Sequence, residues 1–248
     1  MTTNEIRGNT RPSGLVIQSG DVPETAGDVV TMSDPRVAAV RVADCGEPLV
    51  SLRDDDRFLI DERKANVNQA FAMIRSGLVD RLWMAEEYLR ERGHRLRVFE
   101  CYRPQAQQNQ YFQEEMSRLA TEHSDLTTAR LVDLAGRYVA PAWIAPHSCG
   151  GAVDVTLAAL DGTELNVDCR INTTPREPSD MSFLDTQGVL EHARSSRTLL
   201  LSAMTHGGWV PHRYKSWHFE IGTRFAALMT GLDEAVYGVI PDPHADVL

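Results

Sequence analysis

Three residues of this chain have the types and settings of metal ligands: His147, Asp154 and His218. The first two bracket the run His147-Ser148-Cys149-Gly150-Gly151-Ala152-Val153-Asp154-Val155-Thr156-Leu157. Val153, Val155 and Leu157 alternate with Ala152, Asp154 and Thr156, the period-2 pattern of a half-buried strand. Asp154 therefore falls inside a strand, where a carboxylate needs a partner. His147 follows Pro146 just before that strand. Gly150-Gly151 permit a sharp turn that folds the imidazole back toward the carboxylate. An imidazole and a carboxylate at a strand entrance make two-thirds of an open zinc site. The third ligand is expected on a neighbouring strand, and Trp217-His218-Phe219-Glu220-Ile221 supplies it. There Trp217, Phe219 and Ile221 point one way and His218 and Glu220 the other. Either stretch alone reads more simply as a hydrogen-bonded structural histidine and a turn-capping aspartate.

Taken together the stretches are more specific. His-x-x-Gly-x-Ala-x-Asp followed later by Trp-His resembles the zinc D-alanyl-D-alanine dipeptidases and their wider group of D,D-carboxypeptidases. A third element, Val98-Phe99-Glu100-Cys101-Tyr102-Arg103-Pro104, resembles that family's strand ending in Tyr-Arg-Pro. The resemblance runs from about Phe58 to about Gly231, with its elements in the family's order. It implies His147, Asp154 and His218 as ligands of a Zn²⁺ ion and Arg103 as the group that stabilises an oxyanion. Tyr102 and Trp217, beside Arg103 and His218, are then candidate substrate contacts. Glu100 is expected to buttress a ligand histidine.

Two positions depart from the family pattern. Ala145 stands where the family usually has a serine, two residues before the first histidine. Lys215 stands where it has the catalytic glutamate or aspartate, three residues before the last. A protonated lysine cannot take a proton from water and pass it to a leaving amine. The metal site is thus expected to be intact and the base missing, with Glu220 the first substitute and His212 the second. Three functions follow. The first is a weakened zinc hydrolase of a small amide or dipeptide, nearest to a D-Ala-D-Ala dipeptidase. The second is a family member turned to a cyclisation, elimination or unusual hydrolysis of an amino-acid-derived metabolite, with Lys215 as base, nucleophile or carboxylate ligand. The third is a zinc-binding module without turnover. Two histidines and one carboxylate also suit non-haem iron; the resemblance favours zinc.

Composition narrows the partners. The 248 residues carry a formal net charge of −10, which argues against nucleic acid or an anionic membrane and leaves a small-molecule substrate. A homodimer stays open. The four cysteines, Cys45, Cys101, Cys149 and Cys169, show no paired spacing and read as free thiols, with Cys149 an outside candidate for metal ligation. No apolar leader opens the chain, and no stretch approaches the roughly 18 apolar residues that span a bilayer. The expected location is therefore cytoplasmic.

The elements that must hold these residues follow from periodicity. Residues 1–30 read as a polar arm, 31–240 as one domain and 241–248 as a frayed tail. Within the domain a helix is expected from Asn66 to about Arg92, on the spacing of Val67, Phe71, Ile74, Leu78, Leu82, Ala85 and Leu89, with Gly77 a weak point. A strand from Arg95 to Tyr102 and a polar helix from Gln105 to about His123 place Arg103 at a strand-to-helix junction. A third helix, capped by Asp125 or Thr127, is expected to run to Val139. Trp143 is read as a pocket wall or a packing residue. The stretch from Asp161 to about Asp185 is read as a lid, and a fourth helix from Thr186 to His206 as stopped by Gly207-Gly208. The expected fold is α+β, a small, mainly antiparallel sheet that carries the metal and is packed by helices.

Overall fold

A computed structural model describes residues 30–65, 69–167, 190–213 and 215–241. The centre is a five-stranded sheet in the order β3-β5-β6-β8-β7. These strands are β3 (Leu59–Ile60), β5 (His94–Glu100), β6 (Ala152–Ala159), β7 (Val210–His212) and β8 (Lys215–Glu220). Only the β3–β5 pair is parallel; the other three pairs are antiparallel. Two small pairs flank it: β1 (Arg41–Val42) with β9 (Glu234–Ala235), and β2 (Leu49–Ser51) with β4 (Met73–Arg75). The helices are α1 (Pro35–Ala39), α2 (Val79–Arg90), α3 (Gln105–Glu122), α4 (Thr128–Ala135), α5 (Glu191–His206) and α6 (Arg224–Thr230). The α+β class expected from the sequence is the one found. Among the described residues no helix is long and apolar enough to cross a membrane.

The sheet has two unlike faces. Leu96 and Val98 of β5, Val153, Val155 and Leu157 of β6 and Phe219 of β8 form one core with Leu82, Ala85 and Leu89 of α2 and Leu200, Ala203 and Met204 of α5. The opposite face of β6 and β8 presents Asp154 and His218, paired across the two strands. Unlike the half-buried strand expected, β6 is covered on both faces, and Ala152 through Ala158 are all buried. One irregularity matters for function. Val98 lies opposite Val155 and Glu100 opposite Asp154, so β5 carries one extra residue between these pairs. Such a bulge re-aims the side chains beyond it. Glu100, which by simple alternation would follow Val98 onto the core face, is moved to the face of Asp154.

The long helix expected from Asn66 proved shorter. Residues 66–68 lie outside the described segments, Ala70–Ala72 is a 3₁₀ turn, and Met73–Arg75 is strand β4. Phe71, Ile74 and Leu78 keep helical spacing yet are buried by pairing with β2 and by a second 3₁₀ turn. The break falls at Gly77, whose N–H donates to Glu47 Oε2 at 2.8 Å. A Cβ there would meet that carboxylate at 2.5 Å, so tertiary contact overrides the periodic signal. Leu190, at the entrance to α5, is 54% exposed. Helix α4 is capped by Thr127 but stops at Ala135, short of Val139. The proposed lid lies mostly outside the described residues, as do the N-terminal arm and the tail from residue 242.

Candidate metal centre and cleft

The ligand candidates converge. His147 Nε2 is 3.3 Å from Asp154 Oδ1, and His218 Nδ1 is 2.7 Å from the same oxygen. The three donor atoms lie within 4.8 Å of one another, and all three residues are buried. Among the described residues this is the one group of three or more such side chains so placed.

Local structure explains each position. His147 opens the 3₁₀ turn His147–Cys149, which Gly150 ends in the left-handed region at φ +69°. The turn is stitched to the Tyr-Arg-Pro segment: Arg103 N–H donates to the His147 carbonyl at 3.2 Å, and Ser148 Oγ donates to the Arg103 carbonyl at 2.9 Å. His147 Nδ1 lies 2.6 Å from the Cys101 carbonyl. A carbonyl only accepts, so Nδ1 carries the proton and Nε2 is left as the lone-pair donor facing Asp154. Burial, with Arg103 and His218 nearby, outweighs the attraction of Asp154 and keeps this imidazole's pKa below its usual value. His218 is the opposite case. Burial opposes its charge, but hydrogen bonds to Asp154 and Glu220 outweigh that and raise its pKa. Burial alone would raise the Asp154 pKa, yet the two histidines hold it well below the usual carboxylate range.

Glu220 is fully buried and lies 3.1 Å from His218 Nε2 through Oε1; its other oxygen accepts from the Thr223 hydroxyl. The sequence reading offered Glu220 as the substitute base. The structure places it away from the cleft lining and engaged with His218, where it orients a ligand and holds its far proton. Glu220→Gln should therefore weaken metal affinity by about 10–100-fold while the fold persists. Competition with a chromophoric chelator measures this, and unchanged affinity would remove Glu220 from the site.

Glu100 also differs from expectation. Among the described residues its hydrogen bonds go to Arg103 and not to a candidate ligand histidine. Its two oxygens accept from Arg103 Nε at 2.8 Å and Nη2 at 2.5 Å, and Lys64 Nζ stands 3.7 Å away. Arg103 Nη1 donates to Gln108 Oε1 at 2.7 Å, and Gln108 in turn donates to the Ala140 carbonyl. Three of the five guanidinium N–H groups are thus engaged and two remain. Tyr111 lies under the guanidinium, 5.1 Å from ring centre to Cζ. Gln108 is not signalled by the sequence, because a buried glutamine on a polar helix leaves little trace in a periodicity.

Arg103, His147, Asp154 and His218 line a cleft of about 330 Å³, whose far wall comes from α3 and the segment after α4. Trp217 and the half-buried Lys215 line it as well. His212 is there too, 4% exposed, with its ring 5.6 Å from that of His218. Burial, His218 and Lys215 keep His212 well below the usual histidine pKa. Tyr102 does not line the cleft. Ala145 is wholly buried and offers no side-chain hydroxyl. Cys149 is not among the converging donors, and burial pushes its thiol up to about 12. Trp143 is 57% exposed and lines a different hollow.

Comparison with known proteins places the chain in a family. Residues 60–236 match the model of the peptidase family described as D-ala-D-ala dipeptidase. The match covers well over half of the chain, and the protein belongs to that family. Similar solved structures include VanYB in complex with D-alanine-D-alanine, 16% identical over 80% of this chain and 94% of that one, with a TM-score of 0.44. Another is the LD-carboxypeptidase LdcB, 17% identical over 84% and 89% of the two chains, with a TM-score of 0.45. A third is a zinc complex of a variant of the D,D-pentapeptidase VanY, 15% identical over 70% and 90%, with a TM-score of 0.41. No curated protein matches the sequence significantly.

Proposed function

We propose that the protein is a zinc-dependent hydrolase of a small peptide, nearest in type to a D-Ala-D-Ala dipeptidase and slowed by the absence of a carboxylate base. The observation that carries this reading is the convergence of His147 Nε2, Asp154 Oδ1 and His218 Nδ1 in the wall of a cleft that also contains Arg103. Two nitrogens, one carboxylate oxygen and an adjacent open cleft fit the donor set of a catalytic zinc site. Bound there, zinc supplies Lewis acidity toward a carbonyl and toward water.

The chain's own residues do the rest. Glu100 and Gln108 lock the Arg103 fork in one plane, leaving two N–H donors for negative charge developing on a substrate oxygen. Trp217 gives the cleft an apolar surface. Lys215 cannot serve as base while protonated. Three nearby carboxylates are committed: Asp154 to the two histidines, Glu100 to Arg103 and Glu115 to Arg118. A positioned general base is worth about 10²–10⁴-fold, so slow turnover follows. A second reading, different chemistry on an amino-acid-derived metabolite, draws on Lys215 itself, a cation in the position of the family's base.

Metal analysis of the purified protein, paired with a ninhydrin assay on D-Ala-D-Ala, tests the proposal. The expected result is one zinc per chain and slow hydrolysis that a chelator abolishes and added zinc restores. A protein that takes up no metal would sink the reading. Bound zinc without any hydrolysis would favour the second.

A further inference from the structure

Among the described residues five lysines and arginines line the cleft, and four of them have partners. Arg103 is clamped by Glu100 and Gln108, and Arg118 by Glu115 and Glu122. Lys64 stands 3.7 Å from Glu100, and Arg137 stands 3.9 Å from Asp133. Lys215 is the exception: among the described residues no hydrogen bond or ion pair reaches its ammonium, although it is half-buried and lines the cleft. Asp154, Glu100 and Glu220 attract this charge only from beyond contact distance, and a partly desolvated ammonium with no contacting counter-ion would be relieved by a ligand anion.

The charges around it point the same way. Lys64, Arg103 and Lys215 balance Glu100, Asp154 and Glu220, with the histidines neutral. A divalent ion at the triad would leave this end of the cleft with two excess positive charges, on a chain whose formal net charge is −10. Lys215 precedes His218 by three residues on β8, so their Cα atoms are roughly 10 Å apart along the strand. A peptide of one or two residues spans distances of this order, at about 3.3–3.6 Å per residue.

We propose that Lys215 anchors a carboxylate of the ligand, so that the cleft selects small peptides or amino-acid derivatives bearing a free carboxylate near the bond presented at the triad. This deepens the hydrolase reading and rests on it. A charge-assisted hydrogen bond of this kind is worth about 10–100-fold in affinity.

The test is a calorimetric titration of the zinc-loaded protein, and in parallel of the metal-free protein, with D-Ala-D-Ala and with its C-terminal amide. The wild type should prefer the acid to the amide by about 10–100-fold. Lys215→Gln should lose that preference and Lys215→Arg should retain most of it. Zinc content and circular dichroism of each variant show whether metal binding and fold persist. Failure to bind zinc would count against the hydrolase reading, while the acid-to-amide ratio in the metal-free titration still reads the anchor. Equal affinity of the wild type for acid and amide, no binding of either at millimolar concentration, or a preference that survives in well-folded Lys215→Gln would each overturn the proposal.

Discussion

Lys215→Glu is expected to raise kcat for D-Ala-D-Ala hydrolysis by about 100-fold or more. The position lies on β8, three residues before His218, and its side chain already lines the cleft. A carboxylate there would restore a group able to accept a proton from water and deliver it to the leaving amine, a contribution of about 10²–10⁴-fold. The same substitution removes the proposed carboxylate anchor and puts a negative charge in its place. KM should therefore rise while kcat rises, and the two must be separated by steady-state kinetics on released alanine. An unchanged kcat in a folded, zinc-containing variant would show that the missing base is not what limits the reaction.

Glu100→Ala should be the most destabilising change at the site. It leaves the guanidinium of Arg103, 9% exposed, with Gln108 as its remaining hydrogen-bond partner. Removing one member of a buried ion pair costs about 3–5 kcal/mol, because the other charge stays buried and uncompensated. For a domain of this size that is roughly 6–20 °C in Tm, which a thermal melt resolves easily. The pH dependence has a definite sign. Burial would raise the Glu100 pKa, but Arg103, His147 and Lys64 overcome this and hold it at about 2, below the ordinary 4.5. A carboxylate depressed in the folded state contributes its full stabilisation above the unfolded value and loses it as pH falls through the folded one. Wild-type stability should therefore decline between pH 4.5 and about 2 more steeply than that of Glu100→Gln. Parallel slopes would mean that Glu100 does not carry this charge in the folded protein.

Much of the site is legible in the sequence because metal ligation restricts residue types so severely. Only a few side chains donate to zinc, and His147 and Asp154 are joined by a glycine turn and an alternating strand that leave few geometries open. The Tyr-Arg-Pro and Trp-His elements lie in the family's order, and the family match over residues 60–236 agrees with them. The helix expected from Asn66 shows where such reading stops. Phe71, Ile74 and Leu78 satisfy a helical spacing, but Met73–Arg75 is paired with Leu49–Ser51, residues more than twenty positions away. Local periodicity carries no information about that competitor.

The sequence by itself determined the α+β class and offered the candidate donors His147, Asp154 and His218, since these follow from residue type, alternation and the family resemblance, which also marks Lys215 as a departure from the pattern. Only the tertiary structure decided what the carboxylates do. The bulge in β5 brings Glu100 onto the face of Asp154 and under Arg103, and the fold of the segment after β8 closes Thr223 onto Glu220 behind His218. Partners of this kind are set by strand register and by side chains meeting across distant segments. That no hydrogen bond or ion pair reaches Lys215 among the described residues belongs to the same class of fact, because it is a property of the assembled cleft and of no single stretch of chain.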